Sequence, residues 1–173
     1  SFPTRRSSDL TPTWEKWFSL NEQQERYETI HQVIYDPAGA VISVGSSSYT
    51  GSANDELVVF KTATNGTLLW KSSTDLDVYD RPWHSVLGND GSIYAVTESS
   101  IVKFNSNGVK QWQKQGVALY TGGAIYPQNY LVPDLNNGAK VFFQGIDVTL
   151  IIKMQSLNLD GTKNAPAQGI AIS

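Results

Sequence analysis

The chain has 173 residues, 40% apolar content and a formal net charge of −3. This is enough for one globular domain and too apolar for a disordered chain. The acidic balance gives no basic footprint for nucleic acid, no apolar run approaches the roughly 18 residues of a membrane helix, and the absence of cysteine excludes disulfides and thiolate metal sites while leaving the compartment open.

Asn, Gly, Ser and Thr are abundant and helix-type periodicity is scarce, so the expected class is all-β. Ser1 to Leu10, SFPTRRSSDL, is basic, matches nothing later in the chain and looks like a translated sequencing adapter. It is expected to lie outside the fold, and the natural chain is then cut at its N-terminus. In Thr13 to Leu20, Trp17 precedes Gly39 by nearly the spacing that separates Trp70 from Gly91. Trp17 therefore reads as the closing strand of a repeat whose first part is missing. Asn21 to Glu28, NEQQERYE, is polar and reads as a connection, with a short helix as the other option.

The first full repeat runs from Thr29 to Ser73. It has a strand over Ile30 to Tyr35, a turn at Asp36-Pro37-Ala38-Gly39 and a strand over Ala40 to Gly45. A polar loop, SSSYTGSANDE, leads to a hairpin, LVVFKTATNGTLLWK, over Leu57 to Lys71. Asn65-Gly66 at its tip predicts a type I′ turn. The second repeat, Pro82 to Lys114, places strands over His84 to Leu87, Ser92 to Thr97, Ile101 to Asn105 and Val109 to Gln113. Its closing hairpin, SIVKFNSNGVKQWQK, copies the first. Lys61 and Lys103 lie five residues before the turn glycine, and Trp70 and Trp112 lie four after it. A weaker third copy offers strands over Ala124 to Val132, Val141 to Gly145 and Thr149 to Met154, with Lys153 in the lysine place. Its Asp160-Gly161 turn lies three residues too far from that lysine, and Asn164 to Ser173 is either a poor fourth strand or a linker.

Four strands at a period of 42 to 53 residues, as the turn glycines space them, is the β-propeller pattern. The pieces VVFKTATNGTLLW and IVKFNSNGVKQW, preceded by DPAGAVISVG and NDGSIYAVT, resemble quinoprotein-like (PQQ-like) and secreted bacterial propeller repeats over roughly Trp14 to Gly161. The resemblance implies an all-β partial β-propeller: an open arc of three four-stranded antiparallel blades plus a leading strand. A closed ring takes about four to eight. On this reading 1–10 is the scar and 11–28 a closing strand and connector. Residues 29–80 and 81–116 are blades, and 117–173 is a degenerate or incomplete one. A three-blade stack or a small β-sandwich is the second option.

Candidate chemistry is sparse. His31 and His84 are the only histidines and fall on first strands, which line a propeller's channel. They are candidate channel-facing residues, against a plainer reading as half-buried, hydrogen-bonded positions. Asp75, Asp77 and Asp80 lack the spacing of a calcium loop and read as a solvated connection. The recurring tryptophans read as packing between blades. Tyr49, Tyr79 and Trp83 do not recur and are the candidates for recognition on loops. No nucleophile elbow, Walker loop or metalloprotease motif is present.

The expected function is a non-catalytic binding or scaffold module of a secreted or surface-exposed bacterial protein, placed outside the cell, on its surface or in the periplasm. It would use no cofactor, take a protein or glycan ligand, and have the remaining blades of a parent chain as further partners. The alternative is a fragment of a quinone-cofactor dehydrogenase. The resemblance would then also require calcium ligands, a catalytic aspartate and often a vicinal cysteine pair, none of which can be matched. The two open ends of the arc are expected to expose apolar strands around Trp17, Val141 to Phe143 and Leu150 to Ile152.

Overall fold

Apolar residues alternating at period two decide which segments pair and which way their side chains face. The computed structural model describes residues 26–49, 55–76, 80–97, 100–115, 130–134, 138–144, 151–158, 160–162 and 168–171. The half-blade expected around Trp17 lies outside them. The first sheet contains β1 (Arg26–Tyr35), β2 (Val41–Tyr49), β3 (Asp55–Thr62) and β4 (Leu68–Thr74). The second contains β5 (His84–Leu87), β6 (Ile93–Val96), β7 (Ser100–Phe104) and β8 (Lys110–Gln115). The third contains β9 (Tyr130–Pro133), β10 (Ala139–Gln144), β11 (Ile151–Leu157) and β12 (Gln168–Ala171). Each sheet is an antiparallel meander whose strands lie in chain order. The all-β class and blade-like four-stranded sheets are therefore as expected, and the tail supplies a fourth strand through β12.

The three sheets stack face to face. Ile42, Val44, Leu57 and Val59 of the first meet Ile93, Ala95, Val102 and Phe104 of the second in one buried cluster. Tyr94, Val96 and Ile101, on the other face of the second sheet, meet Leu131, Ala139, Val141 and Leu157 of the third. Every residue of β6 and β7 is buried, as a strand covered on both faces requires. Val141, expected at an exposed end, instead points into this second interface.

Strand bounds differ from the sequence reading in ways that hydrogen bonding explains. β2 continues through Ser46 to Tyr49 and β3 begins at Asp55, because the polar stretch keeps pairing across the sheet. Arg26 to Glu28 belong to β1, not to a helix, for the same reason. In the third sheet β9 is described from Tyr130, the expected start at Ala124 lying outside the described residues, and β11 runs to Leu157.

The hairpin tips also differ. Gly66 N–H donates to the Ala63 carbonyl at 2.9 Å, and Ala63 N–H donates to Thr67 at 2.9 Å. The central residues are therefore Thr64 and Asn65, and the glycine follows them with φ of 77°. That is a β-turn closed by a glycine bulge, not the two-residue type I′ loop. The register slips between Lys61 and Thr62 at the bulge. Residues 36–40, 88–92 and 105–109, and the ends of 158–162, repeat the same bonds. A side-chain oxygen of Asp36, Asn65, Asp90, Asn105 or Asp160 caps each of these turns.

The tryptophan and glycine of the repeat meet across sheets. A Cβ on Gly108 would lie 2.5 Å from Cε3 of Trp70, and one on Gly161 would lie 2.9 Å from Cε3 of Trp112. Trp70 Nε1 also donates to the Ser106 carbonyl at 3.1 Å. Each blade's tryptophan thus lies on the closing turn of the next blade. The lysine has a partner within its own blade: Lys61 pairs with Asp36 at 2.6 Å and Lys103 with Asp90 at 3.5 Å. The hydrogen bond from Lys61, aided by Ala38 N–H, holds the Asp36 carboxyl below its ordinary range. Aligned on the turns, the lysine position of the third blade is Ser156, not Lys153. Lys140, directly across from Ser156, faces the turn aspartate Asp134 at 3.9 Å.

Gly108→Ala is expected to destabilise the protein by about 3 kcal/mol, combining a left-handed backbone with a clash against Trp70. Denaturant unfolding monitored by tryptophan emission measures it. Ser85→Ala is expected to do the opposite. Ser85 Oγ is buried without a hydrogen-bond partner, so removing it stabilises by about 1 kcal/mol, a rise in Tm of about 2–4 °C.

Candidate functional site

The two ends of the stack are built differently. The register puts Arg26, Tyr49, Asp55 and Thr74 at one end of the first sheet and Tyr35, Val41, Thr62 and Leu68 at the other. The second end carries the repeated glycine turns. The first carries connections of unequal length: 50–54, 75–83, 97–99, 116–129 and 145–150.

Two clusters of described polar groups stand on these strands. In the first, His31 is the extra residue of a bulge, since Ile30 faces Gly45 and Gln32 faces Val44. Its Nε2 lies 3.1 Å from Ser46 Oγ. Burial, then the Arg81 charge, lowers the imidazole pKa, and Asp55 opposes them. Asp55 is buried, and Arg81 Nε donates to its Oδ2 at 2.6 Å while the rest of the guanidinium side chain stays largely exposed. A hydroxyl–imidazole pair is half of a nucleophile–base arrangement. Here the neighbouring carboxylate is committed to Arg81. The arrangement offers an exposed cationic donor beside an imidazole, suited to hydrogen-bonding a polar ligand.

The second cluster joins the first strands of the three sheets, β1, β5 and β9. Counted from the turns, His84 is equivalent to Gln32, not to His31. The Gln32 amide donates to the Ser85 carbonyl at 2.8 Å and accepts from Ser85 N–H at 2.7 Å. One blade further on, Leu131 N–H donates to His84 Nδ1 at 3.2 Å, and the ring lies 5.5 Å from that of Tyr130. Ser85 and Leu131 are themselves equivalent. One polar side chain thus ties β1 to the backbone of β5, and one ties β5 to the backbone of β9. The two histidines are therefore not at one repeated position: His31 is the extra residue of the bulge, one place before Gln32, which is the counterpart of His84.

The remaining candidates fall variously. Trp83, expected on an exposed recognition surface, is half-buried against the second core cluster, and its N–H donates to the Val96 carbonyl at 2.8 Å. Tyr49 closes β2, and its side chain, like Tyr79 and Asp77, lies outside the described residues. Asp80, expected to be solvated, is buried and accepts from Leu76 N–H at 2.5 Å. Among the described residues no group of three His, Cys, Asp or Glu side chains could hold a metal, and no helix is long and apolar enough to cross a membrane. Sequence reasoning missed Gln32, Asp55 and Arg81. Alignment on turn glycines would have found Gln32 opposite His84; the Asp55–Arg81 pair has no such signal.

No protein-family model matches the chain, and no curated protein matches it. Among solved structures it is similar, at 15% identity and a TM-score of 0.47, to PorZ, described as an essential bacterial surface component of the type-IX secretion system of Porphyromonas gingivalis. The match covers 79% of this chain and 21% of that one.

His84 gives a pH prediction. Burial lowers its pKa, and Nδ1 accepts a hydrogen bond, which an imidazolium cannot do. The unfolded state takes up the proton first as pH falls, so stability is full above about 6.5 and declines below it toward the folded-state pKa. Melts at successive pH values should show this decline. It should be shallower in His84→Gln, whose amide can still accept from Leu131; the remaining slope belongs to His31, which is shifted the same way.

Proposed function

We propose that this chain is a non-catalytic binding or scaffold module, part of a secreted or surface-exposed bacterial β-propeller protein. The difference between the two ends of the stack carries this reading. The glycine-turn end is built from one repeated device whose polar groups bond to each other. The loop end breaks the repeat, and it is there that Arg81, Asp55, His31 and Ser46 gather. Divergent residues on a repeated frame are the mark of recognition rather than of packing. In this reading 29–80, 81–116 and 117–173 are successive blades, and Tyr49, Tyr79 and His31 belong to the recognising end with Arg81. The ligand is a protein or a glycan with acceptor groups for the guanidinium.

A glycan and peptide array probed with the labelled chain tests this. Binding should be lost in Arg81→Ala and kept in Pro37→Ala, which alters the opposite end. Binding that ignores Arg81 but vanishes with Pro37→Ala would overturn the assignment of the ends. Stoichiometric uptake of pyrroloquinoline quinone with calcium, seen as a visible absorbance change, would replace the proposal with the dehydrogenase reading.

A further inference from the structure

Two of the closing turns present an asparagine directly before a glycine, Asn65-Gly66 and Asn107-Gly108. Both asparagines are exposed. Both glycine N–H groups donate back into the turn, Gly66 to the Ala63 carbonyl at 2.9 Å and Gly108 to the Asn105 carbonyl at 3.0 Å. The turns differ in where the next N–H goes. In the first, Thr67 N–H donates to Asn65 Oδ1 at 3.0 Å. In the second, the equivalent Val109 N–H donates to Asn105 Oδ1 at 3.0 Å, and Asn107 N–H donates to the same oxygen at 3.0 Å. The residue that opens the turn decides this. Asn105 offers a side-chain oxygen and Ala63 has none, so in the first turn the N–H takes the oxygen of the asparagine before the glycine. Among the described residues the Asn107 carboxamide makes no hydrogen bond.

A carboxamide whose oxygen bonds the N–H two residues on turns its carbon toward the nitrogen between them. For Asn65 that nitrogen belongs to Gly66, which has no side chain to obstruct the approach. We propose that Asn65 is a site of spontaneous deamidation, and that Asn107, in the same dipeptide, is held back from it. Hydroxide takes the Gly66 amide proton, and the nitrogen attacks Asn65 Cγ. The bond from Cγ to Nδ2 breaks, and Nδ2 leaves as ammonia, taking a proton from water and restoring the hydroxide. The product is a five-membered cyclic imide. Water opens it at Cγ to give aspartate, or at the Asn65 main-chain carbonyl to give isoaspartate. Thr67 N–H acts twice: it holds the carboxamide in the orientation for attack, and it donates to the oxygen that gains negative charge as the new bond forms. In the second turn Asn105 has taken that donor. Trp70, bonded through Nε1 to the Ser106 carbonyl at 3.1 Å and lying on Gly108, further holds that turn closed. The aspartate product reproduces turns already present, since Asp90 and Asp160, at the same place before Gly91 and Gly161, accept from Ser92 and Thr162 N–H at 3.0 and 2.9 Å. Isoaspartate adds a methylene to the main chain of the turn and reproduces none of them.

The test incubates the whole folded chain in warm, mildly alkaline buffer. Proteolytic peptides then separate asparagine, aspartate and isoaspartate at each Asn-Gly pair, with Asn137-Gly138, whose asparagine lies outside the described residues, measured apart. Asn65 should convert about tenfold faster than Asn107. In denaturant the two rates should converge, because the hydrogen bonds that separate them are gone. Asn105→Ala frees Val109 N–H and should speed conversion at Asn107, whereas Ala63→Asn captures Thr67 N–H and should slow it at Asn65. The two exchanges alter different turns, so loss of fold in one leaves the other to decide. Equal rates in the folded chain, or faster conversion at Asn107, overturn the proposal. So does a difference that persists in denaturant, which would belong to the neighbouring side chains, or a pair of rates that both exchanges leave unchanged.

Discussion

Consecutive blades are locked by a tryptophan lying over a glycine. Trp70 covers Gly108 and Trp112 covers Gly161 at distances that leave no space for a Cβ. The same glycines take a positive φ to close their turns. One residue thus meets two demands, the backbone conformation of its own hairpin and the close approach of a neighbour's indole. Only glycine meets both, so the spacing of Gly and Trp along the chain and the stacking of sheets in space are one constraint.

Around that contact the polar groups divide by position. Near the glycine turns, each blade ties its own hairpins together with a lysine and an aspartate. The third blade keeps the tie although the lysine has moved from β11 to Lys140 on β10. In all three sheets a turn carboxylate thus lies within reach of a lysine of its own sheet. On the innermost strands the ties run between blades instead, through Gln32 and His84. These two side chains differ in chemistry, but each presents an acceptor to a backbone N–H that would otherwise be left at a sheet-to-sheet seam.

Much of the architecture was legible because the repeat imposes itself on local sequence. The strands of the second blade, the pairing order and the packing role of Trp70 and Trp112 all follow from alternation and from the turn glycines. The turn type was not legible. Asn-Gly satisfies a two-residue loop as well as a glycine bulge, and only the bond from Gly66 to Ala63 separates them. The extension of β2 through three serines was hidden because serine is a weak strand former whose place is set by its partner strand. At the candidate site the histidines misled: both fall on first strands, but counting back from the turn glycines puts Gln32, not His31, at the place of His84, and His31 is the extra residue of a bulge. Asp55 and Arg81 lie 26 residues apart and at no recurring position of the repeat, so only the folded chain brings them together.

The Trp70–Gly108 contact also sets an order of events in time. Among the described residues every strand pairing lies within one sheet, between segments adjacent in sequence, and such local contacts form early. The indole, by contrast, waits for a turn that belongs to the next blade. As the chain leaves the ribosome from its N-terminus, each sheet assembles alone and remains uncovered on one side until its successor has been made. Folding of this kind advances as a front, one unit at a time, with stability gained at each junction rather than all at once. The tryptophan marks where that front has reached, because its surroundings change from water to backbone only when the following hairpin closes beneath it.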